Sequence, residues 1–243
     1  MALLKPTQLT ADQIASYQHY GHLTVSGIFP TELVEQMKRH YMQMRSEGSK
    51  PGDFGGTPDD PDDPTHQYPR LINMHNWDEE SQTWATSDVL LSVIGQLIQD
   101  QPKLYQTMLY FKPPGGRGQG LHQDQQYITI DPLIGVWVAL DHSDQLVGQM
   151  IVVPRSHQGG LYQVEPADTS VSFTNVQCTI PSEYQPIGVD MLPGDVLFFD
   201  GKTIHGSEKN QTNDRWRRSF ICHYIGQNGS NFQPTVGTHV SHL

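Results

Sequence analysis

The spacing of apolar and polar residues divides the chain into a helical first part and a strand-rich second part. A helix is predicted directly after Thr10, with Thr10 as its N-cap and Gln13 at the capping-box position. Two further helices are predicted over residues 31–44, with Thr31 as the cap, and over residues 87–99, where apolar residues recur on one side. Tyr20-Gly21 predicts a helix stop, followed by a short strand.

Beyond Pro102 the apolar period shortens toward two, and Gly/Pro turns separate the apolar runs. Strands are predicted over residues 70–75, 104–111, 134–140, 150–153, 196–199 and 217–225. Helices followed by many short strands indicate a mainly β fold, a double-stranded β-helix (jelly roll, cupin-like) with flanking N-terminal α-helices. We expect a single domain over residues 1–243, with the jelly-roll core at about 104–226 and the helical part at about 10–102.

Composition narrows the classes of partner. The 22 Gly and 17 Pro residues fit many turns, and a formal net charge of -11 disfavours a nucleic-acid partner. Two cysteines, the lack of an apolar leader and the lack of a membrane-length run favour a cytoplasmic protein that has no membrane partner. The acidic run at residues 59–63 is interpreted as a solvated or mobile loop, with a lid or a hard-cation site as the other options. The oligomeric state is left open.

Candidate chemistry centres on His122-Gln123-Asp124. In an extended segment the imidazole and the carboxylate leave the same face, because side chains alternate with a period of two. A His-x-Asp pair with a distant histidine forms the 2-His-1-carboxylate triad of non-haem ferrous sites, and His205 is the best candidate for the third ligand.

Further motifs follow in a fixed order. They are Lys112-Pro113-Pro114-Gly115, His122-Gln123-Asp124, Trp137-Val138-Ala139-Leu140, Val153-Pro154-Arg155-Ser156-His157, Pro193-Gly194-Asp195, His205-Gly206-Ser207 with Asn210, and Arg217. Their order and spacing resemble those of the phytanoyl-CoA dioxygenase family, whose members are Fe(II)- and 2-oxoglutarate-dependent oxygenases on a double-stranded β-helix. The resemblance spans roughly residues 108–224.

The resemblance implies that His122, Asp124 and His205 bind Fe(II), leaving room for 2-oxoglutarate and O2. It also implies an arginine that grips the far carboxylate of 2-oxoglutarate. Arg215, Arg217 and Arg218 compete for this role. The number of residues between Arg217 and Tyr224 matches the family's spacing and therefore favours Arg217.

Other cosubstrate contacts are expected from Ser207 and Ser219, each on the face of a proposed ligand two residues earlier. Trp137 resembles a family position beside 2-oxoglutarate, and a large core aromatic residue is its other interpretation. Asn73 stands where some members carry a cosubstrate-binding lysine, which places that contact in question.

The remaining histidines receive simpler interpretations. His142 and His223 are alternative ligands without a carboxylate at the right offset, and His157 is structural. His75 and Arg70 are candidates for the mouth of the pocket, whereas His239 and His242 fall in a tail expected to fray.

The function that follows is an oxygenase that hydroxylates or otherwise oxidises an unactivated C–H bond of a small-molecule metabolite, releasing succinate and CO2, with ascorbate as a possible reductant. A cupin-like metalloenzyme that does not use 2-oxoglutarate and a non-catalytic jelly-roll binding module are the alternatives. Residues 48–65 and 159–186 are expected to set the substrate, which the sequence does not identify.

Overall fold

Two antiparallel sheets pack face to face, and helices cover the outer face of the larger one, as predicted. The computed structural model describes residues 7–54 and 64–231. The helices are α1 (Ala11–Tyr20), α2 (Thr31–Ser46), α3 (Glu79–Ala85) and α4 (Asp88–Ile98). The strands are β1 (His22–Val25), β2 (Asp53–Phe54), β3 (Arg70–Ile72), β4 (Pro102–Tyr110), β5 (Gln119–His122), β6 (Ile130–Ala139), β7 (Met150–Val152), β8 (Val164–Pro166), β9 (Val176–Cys178), β10 (Ile187–Val189), β11 (Val196–Asp200), β12 (His205–Ser207) and β13 (Ser219–Asn231).

The larger sheet has seven strands in the order β1-β11-β6-β13-β4-β3-β2, and the smaller has four in the order β10-β7-β12-β5. Strands β8 and β9 form a separate hairpin. Because β1, β2 and β3 lie before residue 102, the N-terminal part supplies three strands of the larger sheet as well as the helices.

Strand β13 shows how one strand serves both sides of the larger sheet. Phe220, Cys222 and Tyr224 pack with the helices in the outer core, whereas Ile221 packs between the two sheets. The alternation follows from the period of two along a strand. Ser219 and His223, each two residues from Ile221, therefore lie on the inner face of the sheet.

Several local predictions are confirmed. Thr10 caps α1 in a capping box with Gln13, and Gly21 ends the helix with a φ of 79°. The prediction for Thr31 was wrong: the N-cap is Pro30, Thr31 is the first residue of α2, and no side chain caps the helix.

Other boundaries also differ from the prediction. Helix α3 was not predicted, because seven residues are too few to show an apolar period. The strand at residue 70 ends at Ile72, where Asn73 takes a φ of 59° and a 3-10 turn begins. Arg217 precedes β13 and does not lie within it.

No helix in residues 7–54 or 64–231 combines the length and the apolarity needed to cross a bilayer. The acidic run at 59–63 and the two C-terminal histidines, His239 and His242, lie outside the described residues.

Candidate active site

Three predicted ligand residues meet on the smaller sheet. His122 is the last residue of β5, and Asp124 follows two residues later at the start of a 3-10 turn. His205 begins β12 and lies directly opposite His122 in the antiparallel register. One ligand atom from each residue lies within 4.8 Å of the others, and all three residues are buried. This arrangement is able to hold one metal ion.

The two imidazoles are oriented in the same way. His122 Nδ1 lies 2.9 Å from the carbonyl oxygen of Gly120, and His205 Nδ1 lies 2.9 Å from that of Thr203. A carbonyl only accepts, so each Nδ1–H donates and each Nε2 carries a lone pair, which in His122 accepts from the Gln119 side-chain amide. The Nε2 atoms lie 3.5 and 3.6 Å from Asp124 Oδ1. Hydrogen bonds from Nδ1–H to a carbonyl oxygen, like those to Gly120 and Thr203, orient metal-binding histidines in other proteins.

A fourth residue, His223, contacts the carboxylate from the opposite side. Its Nε2 lies 2.9 Å from Asp124 Oδ2. Burial favours the neutral form of Asp124, but the nearby His223 and His205 and the hydrogen bond from His223 outweigh it and hold the pKa of Asp124 well below 3.8. Burial lowers the pKa of His205 from 6.5 to about 4. The site therefore presents an ionised carboxylate and a neutral imidazole, which are the forms that bind metals.

The backbone around the triad is fixed by Gln123. Its side-chain amide donates to the carbonyl oxygens of Gly160 and Lys202 and accepts from the Tyr162 N–H. These bonds hold the segment between the two ligands against two loops. Gly206 has a steric role, because a Cβ there would lie 2.8 Å from the Gln119 carbonyl oxygen, closer than side chains tolerate.

Arg217 is fully buried, yet Nε, Nη1 and Nη2 find no hydrogen-bond acceptor among the described residues. Its guanidinium carbon lies 5.1 Å from the centre of the Trp137 ring, on the inner face of the larger sheet. Burial lowers its pKa from 12.5 to about 10. An unpaired buried guanidinium is costly in isolation, and its planar fork matches a carboxylate.

The two neighbouring arginines differ from Arg217. Arg215 Nη2 lies 2.7 Å from Asp144 Oδ2, and Arg218 binds both oxygens of Asp141 at 2.7 and 2.8 Å. Both are paired with protein carboxylates at the surface side of the strand. Of the three arginines that competed in the sequence, only Arg217 has no carboxylate partner among the described residues.

Lys112 is a second buried cation in this region, although its motif gave no hint of its role. Its Nζ donates to the carbonyl oxygens of Gly148 and Glu208 and to Ser207 Oγ. Burial, followed by the charge of Arg217, holds the pKa of Lys112 well below 10.5. Lys112 thereby fixes the strand that carries His205 and orients the Ser207 hydroxyl.

The remaining predicted residues fall nearby. Trp137 is buried and packs with Ile221 between the sheets, as a large core aromatic residue does, and its contact with 2-oxoglutarate stays a prediction. Ser219 is fully buried, and its Oγ has no partner among the described residues. Asn73 is exposed at the start of a 3-10 turn, and its side chain makes no hydrogen bond to another described residue.

The contacts of His157, His142 and His75 place these histidines away from the three ligand residues. His157 Nε2 contacts the Gln18 carbonyl oxygen, and His142 pairs with Asp190 at the surface. The prediction for His75 was wrong: its Nδ1 bonds Thr107 Oγ1, on the helix side of β4. His223 was considered only as a ligand, although its parity with Arg217 and Ser219 was a usable signal.

A second group of metal-binding residue types consists of His40, Asp78 and Glu80. His40 Nε2 lies 3.0 Å from both Asp78 oxygens, and Asp78 also accepts from the Ser81 N–H as the N-cap of α3. Glu80 is exposed. The pair is accounted for by helix capping.

Comparisons with known proteins agree with this fold. The phytanoyl-CoA dioxygenase (PhyH) family model matches residues 17–219. A probable phytanoyl-CoA dioxygenase of Caenorhabditis elegans is 29% identical over 162 residues, covering 62% of this chain and 51% of that protein. The matches to the Arabidopsis thaliana and Bos taurus relatives cover 56% and 52% of those proteins, so the chain spans about half their length.

Two solved structures share the fold. The epimerase SnoN, in complex with Fe3+, alpha ketoglutarate and nogalamycin RO, superposes with a TM-score of 0.73 at 17% identity, covering 93% of this chain and 86% of SnoN. EctD from S. alaskensis, with 2-oxoglutarate and 5-hydroxyectoine, gives a TM-score of 0.74 at 18% identity, covering 98% and 85%. The family model covers most of the chain, and the protein therefore belongs to the phytanoyl-CoA dioxygenase family.

Proposed function

We propose that the protein is an Fe(II)- and 2-oxoglutarate-dependent dioxygenase that oxidises an unactivated C–H bond of a small-molecule metabolite and releases succinate and CO2. The observation that carries the proposal is the fully buried Arg217, whose donors are unused within the described residues, in the same fold as the His122–Asp124–His205 cluster. A group of three metal-binding residues occurs in many kinds of enzyme. The same group together with an unpaired buried arginine favours an enzyme that binds a dicarboxylate cosubstrate.

The donor set suits ferrous iron. His122 Nε2, His205 Nε2 and an oxygen of Asp124 would hold the ion, and three protein ligands would leave it able to bind 2-oxoglutarate and O2. Asp124 favours oxygenation, because halogenases of this kind replace the carboxylate with a small residue.

The cosubstrate side suits a dicarboxylate. Arg217 would bind the far carboxylate through its planar fork, with the hydroxyls of Ser207 and Ser219 as further donors. Trp137 would hold the guanidinium through its ring face. Lys112 would position the Ser207 hydroxyl next to the cosubstrate.

When bound, iron and 2-oxoglutarate would supply the oxidising power, with ascorbate as a reductant that keeps the metal ferrous. The chain's own residues have simpler tasks. His223 holds the Asp124 carboxylate, and the carbonyls of Gly120 and Thr203 fix the two imidazoles. The apolar residues between the sheets exclude water from the reacting centre.

The proposal covers C–H oxidation in general and does not specify which type of product forms. Of the similar structures, SnoN is an epimerase and EctD is in complex with 5-hydroxyectoine, so the fold accommodates more than one outcome. A probable alpha-ketoglutarate-dependent hypophosphite dioxygenase of Stutzerimonas stutzeri is a further relative, at 22% identity. Hydroxylation is the simplest result of C–H oxidation, and desaturation, epoxidation and cyclisation use the same centre.

Anaerobic binding measurements test the proposal. Purified protein receives Fe(II) and then 2-oxoglutarate, and calorimetry gives the stoichiometry and affinity of each. We expect one metal per chain and metal-dependent 2-oxoglutarate binding. A cupin-like enzyme without this cosubstrate would bind metal but not 2-oxoglutarate, and a non-catalytic module would bind neither. Admission of O2 with a metabolite library, followed by succinate assay, then identifies the substrate.

A further inference from the structure

Arg70 lies on the inner face of the larger sheet, close to the candidate site. In the register of β2, β3 and β4, Phe54 pairs with Arg70, and the pair Leu71–Leu109 places Arg70 beside Tyr110. Tyr110 in turn pairs with Ser219 on β13. Arg70 therefore lies in the same cross-strand row as Ser219, one of the residues proposed to contact 2-oxoglutarate.

Three aromatic rings surround the Arg70 guanidinium. Its central carbon lies 4.3 Å from the centre of the Phe173 ring, 4.8 Å from that of Phe54 and 5.4 Å from that of Tyr110. Phe54 and Phe173 come from the two stretches, residues 48–65 and 159–186, that the sequence marks as determinants of the substrate. Ring faces attract a cation and hold its plane, but they do not use its N–H donors.

The charge of Arg70 is not neutralised within the described part of the chain. No carboxylate there forms an ion pair with it, and its one hydrogen bond runs from Nη1 to Tyr110 Oη at 3.4 Å. Arg45, by contrast, binds Asp53 through two nitrogens, although it too lies over an aromatic ring. Arg70 is half-buried, so its free donors face a partly desolvated space.

A chain of contacts joins Arg70 to the metal cluster. Tyr110 Oη donates to Gln119 Oε1 at 3.1 Å, and Gln119 Nε2 lies 3.0 Å from His122 Nε2, the atom that faces the cluster. Arg70 and the ligand residue His122 are therefore joined through only two intervening side chains, those of Tyr110 and Gln119.

We propose that Arg70, with Phe54, Tyr110 and Phe173, is a recognition site for an acidic oxygen group of the primary substrate, such as a carboxylate, phosphate or sulfate. The inference rests on the proposed function, since the substrate is defined by the reaction at the cluster. A guanidinium with free donors forms two parallel charge-assisted bonds to such groups, which a neutral analogue cannot form. The bordering rings add contact area for an apolar segment next to the acid.

The alternative is that Arg70 only fills space and stacks on the rings. A binding experiment on loaded protein separates the two. Zn(II) replaces iron so that no turnover occurs, and saturating 2-oxoglutarate occupies the Arg217 side. Benzoate, phenyl phosphate and phenyl sulfate are then compared with neutral benzamide and methyl benzoate by saturation-transfer NMR and calorimetry.

The variants are Arg70→Met, Arg70→Lys and the control Arg39→Met, which removes an exposed arginine charge from α2. We expect at least one acid to bind the wild-type protein about tenfold or more tightly than its neutral analogue, as charge-assisted bonds require. Arg70→Met should abolish that preference, Arg70→Lys should retain part of it, and Arg39→Met should leave it unchanged.

Two results would overturn the inference: no acid of the panel is preferred by the wild-type protein, or Arg70→Met keeps the preference. Circular dichroism and melting of each variant show whether it folds, and Arg70→Lys tests the site if Arg70→Met does not. The proposed function fails separately. In that case 2-oxoglutarate does not bind the metal-loaded wild-type protein, a result that calorimetry records before any acid is added.

Discussion

His223 Nε2 lies 2.9 Å from Asp124 Oδ2, while Asp124 Oδ1 faces the imidazoles of His122 and His205. One oxygen of the carboxylate therefore faces His122 and His205, and the other oxygen contacts His223. Because an ionised carboxylate only accepts, the His223 Nε2–H donates and fixes the plane of the carboxylate. A ligand held in this way needs no reorientation when a metal binds.

Replacement of His223 tests this relationship. We expect His223→Phe to weaken Fe(II) binding by roughly 10- to 100-fold, the usual loss when a group that orients a ligand is removed. His223→Gln keeps a donor and should restore part of the affinity. Anaerobic calorimetry measures both, and His142→Phe, an exposed histidine on another pair, is the control. Equal affinity in His223→Phe and wild type would show that the contact does not orient the ligand.

Replacement of Arg217 separates cosubstrate binding from stability. Arg217→Met should weaken 2-oxoglutarate binding by roughly 100-fold or more, the loss expected when one partner of a buried charge pair is removed. Arg217→Ala should likewise abolish 2-oxoglutarate turnover. The melting temperature of the metal-free Arg217→Met protein should not fall, because the variant also removes an unpaired buried charge.

Arg215→Met and Arg218→Met are the matched controls for that experiment. Each loses an ion pair with an aspartate and should keep the wild-type affinity for 2-oxoglutarate. If either control loses the affinity while Arg217→Met keeps it, the assignment passes to that arginine. If none of the three matters, a metalloenzyme without 2-oxoglutarate becomes the better interpretation.

Lys112 should matter for stability more than an ordinary lysine. Lys112→Met leaves two buried carbonyl oxygens and the Ser207 hydroxyl without their donor, so the free energy of unfolding should fall by about 2–4 kcal/mol. Urea denaturation measures this fall, with Lys103→Met, an exposed lysine on β4, as the control. A Lys112→Met protein as stable as the control would mean that water replaces the lysine without cost.

Both cysteines should be unreactive in the folded protein. Burial raises the pKa of Cys178 to about 11, and burial also raises that of Cys222. A raised thiol pKa lowers the thiolate fraction at pH 8, so ionisation alone should slow alkylation of Cys178 roughly 200-fold relative to an unfolded chain with a pKa near 8.5.

Iodoacetamide labelling at pH 8, followed by peptide mass spectrometry, tests this with and without denaturant. The rate at Cys178 should rise with pH until about pH 11, if labelling occurs in the folded state. Rapid labelling of either thiol at pH 8 in native buffer would contradict the burial of these residues.

The parts of the site that could be predicted are those encoded by short spacing. His122 and Asp124 are two residues apart, and their convergence needed only an extended segment. The choice of Arg217 needed more, because its neighbours are also arginines and only the pairing of Arg215 and Arg218 with distant aspartates separates them. Those pairs join residues more than 70 positions apart, which no local pattern reports.

The same limit applies to the residues that were missed. Lys112 contacts groups more than 30 residues away, and the rings around Arg70 come from three separate parts of the chain. Helix α3 was missed for the opposite reason, since seven residues are too few for a period to appear. The cap of α2 was misplaced by one residue, because threonine is a common N-cap residue and here it is the first residue of the helix. Local rules therefore gave the scaffold, and long-range contacts decided the roles.

The alternation along β13 has a consequence for how this protein is able to evolve. Phe220, Cys222 and Tyr224 dock the helices, and the intervening positions carry the chemistry. A one-residue insertion or deletion between Phe220 and His223 that no bulge absorbs would exchange the two sets, turning His223 toward the helices and an aromatic ring toward Asp124. Length changes in the loop before Arg217 lie outside this strand and leave its alternation unchanged.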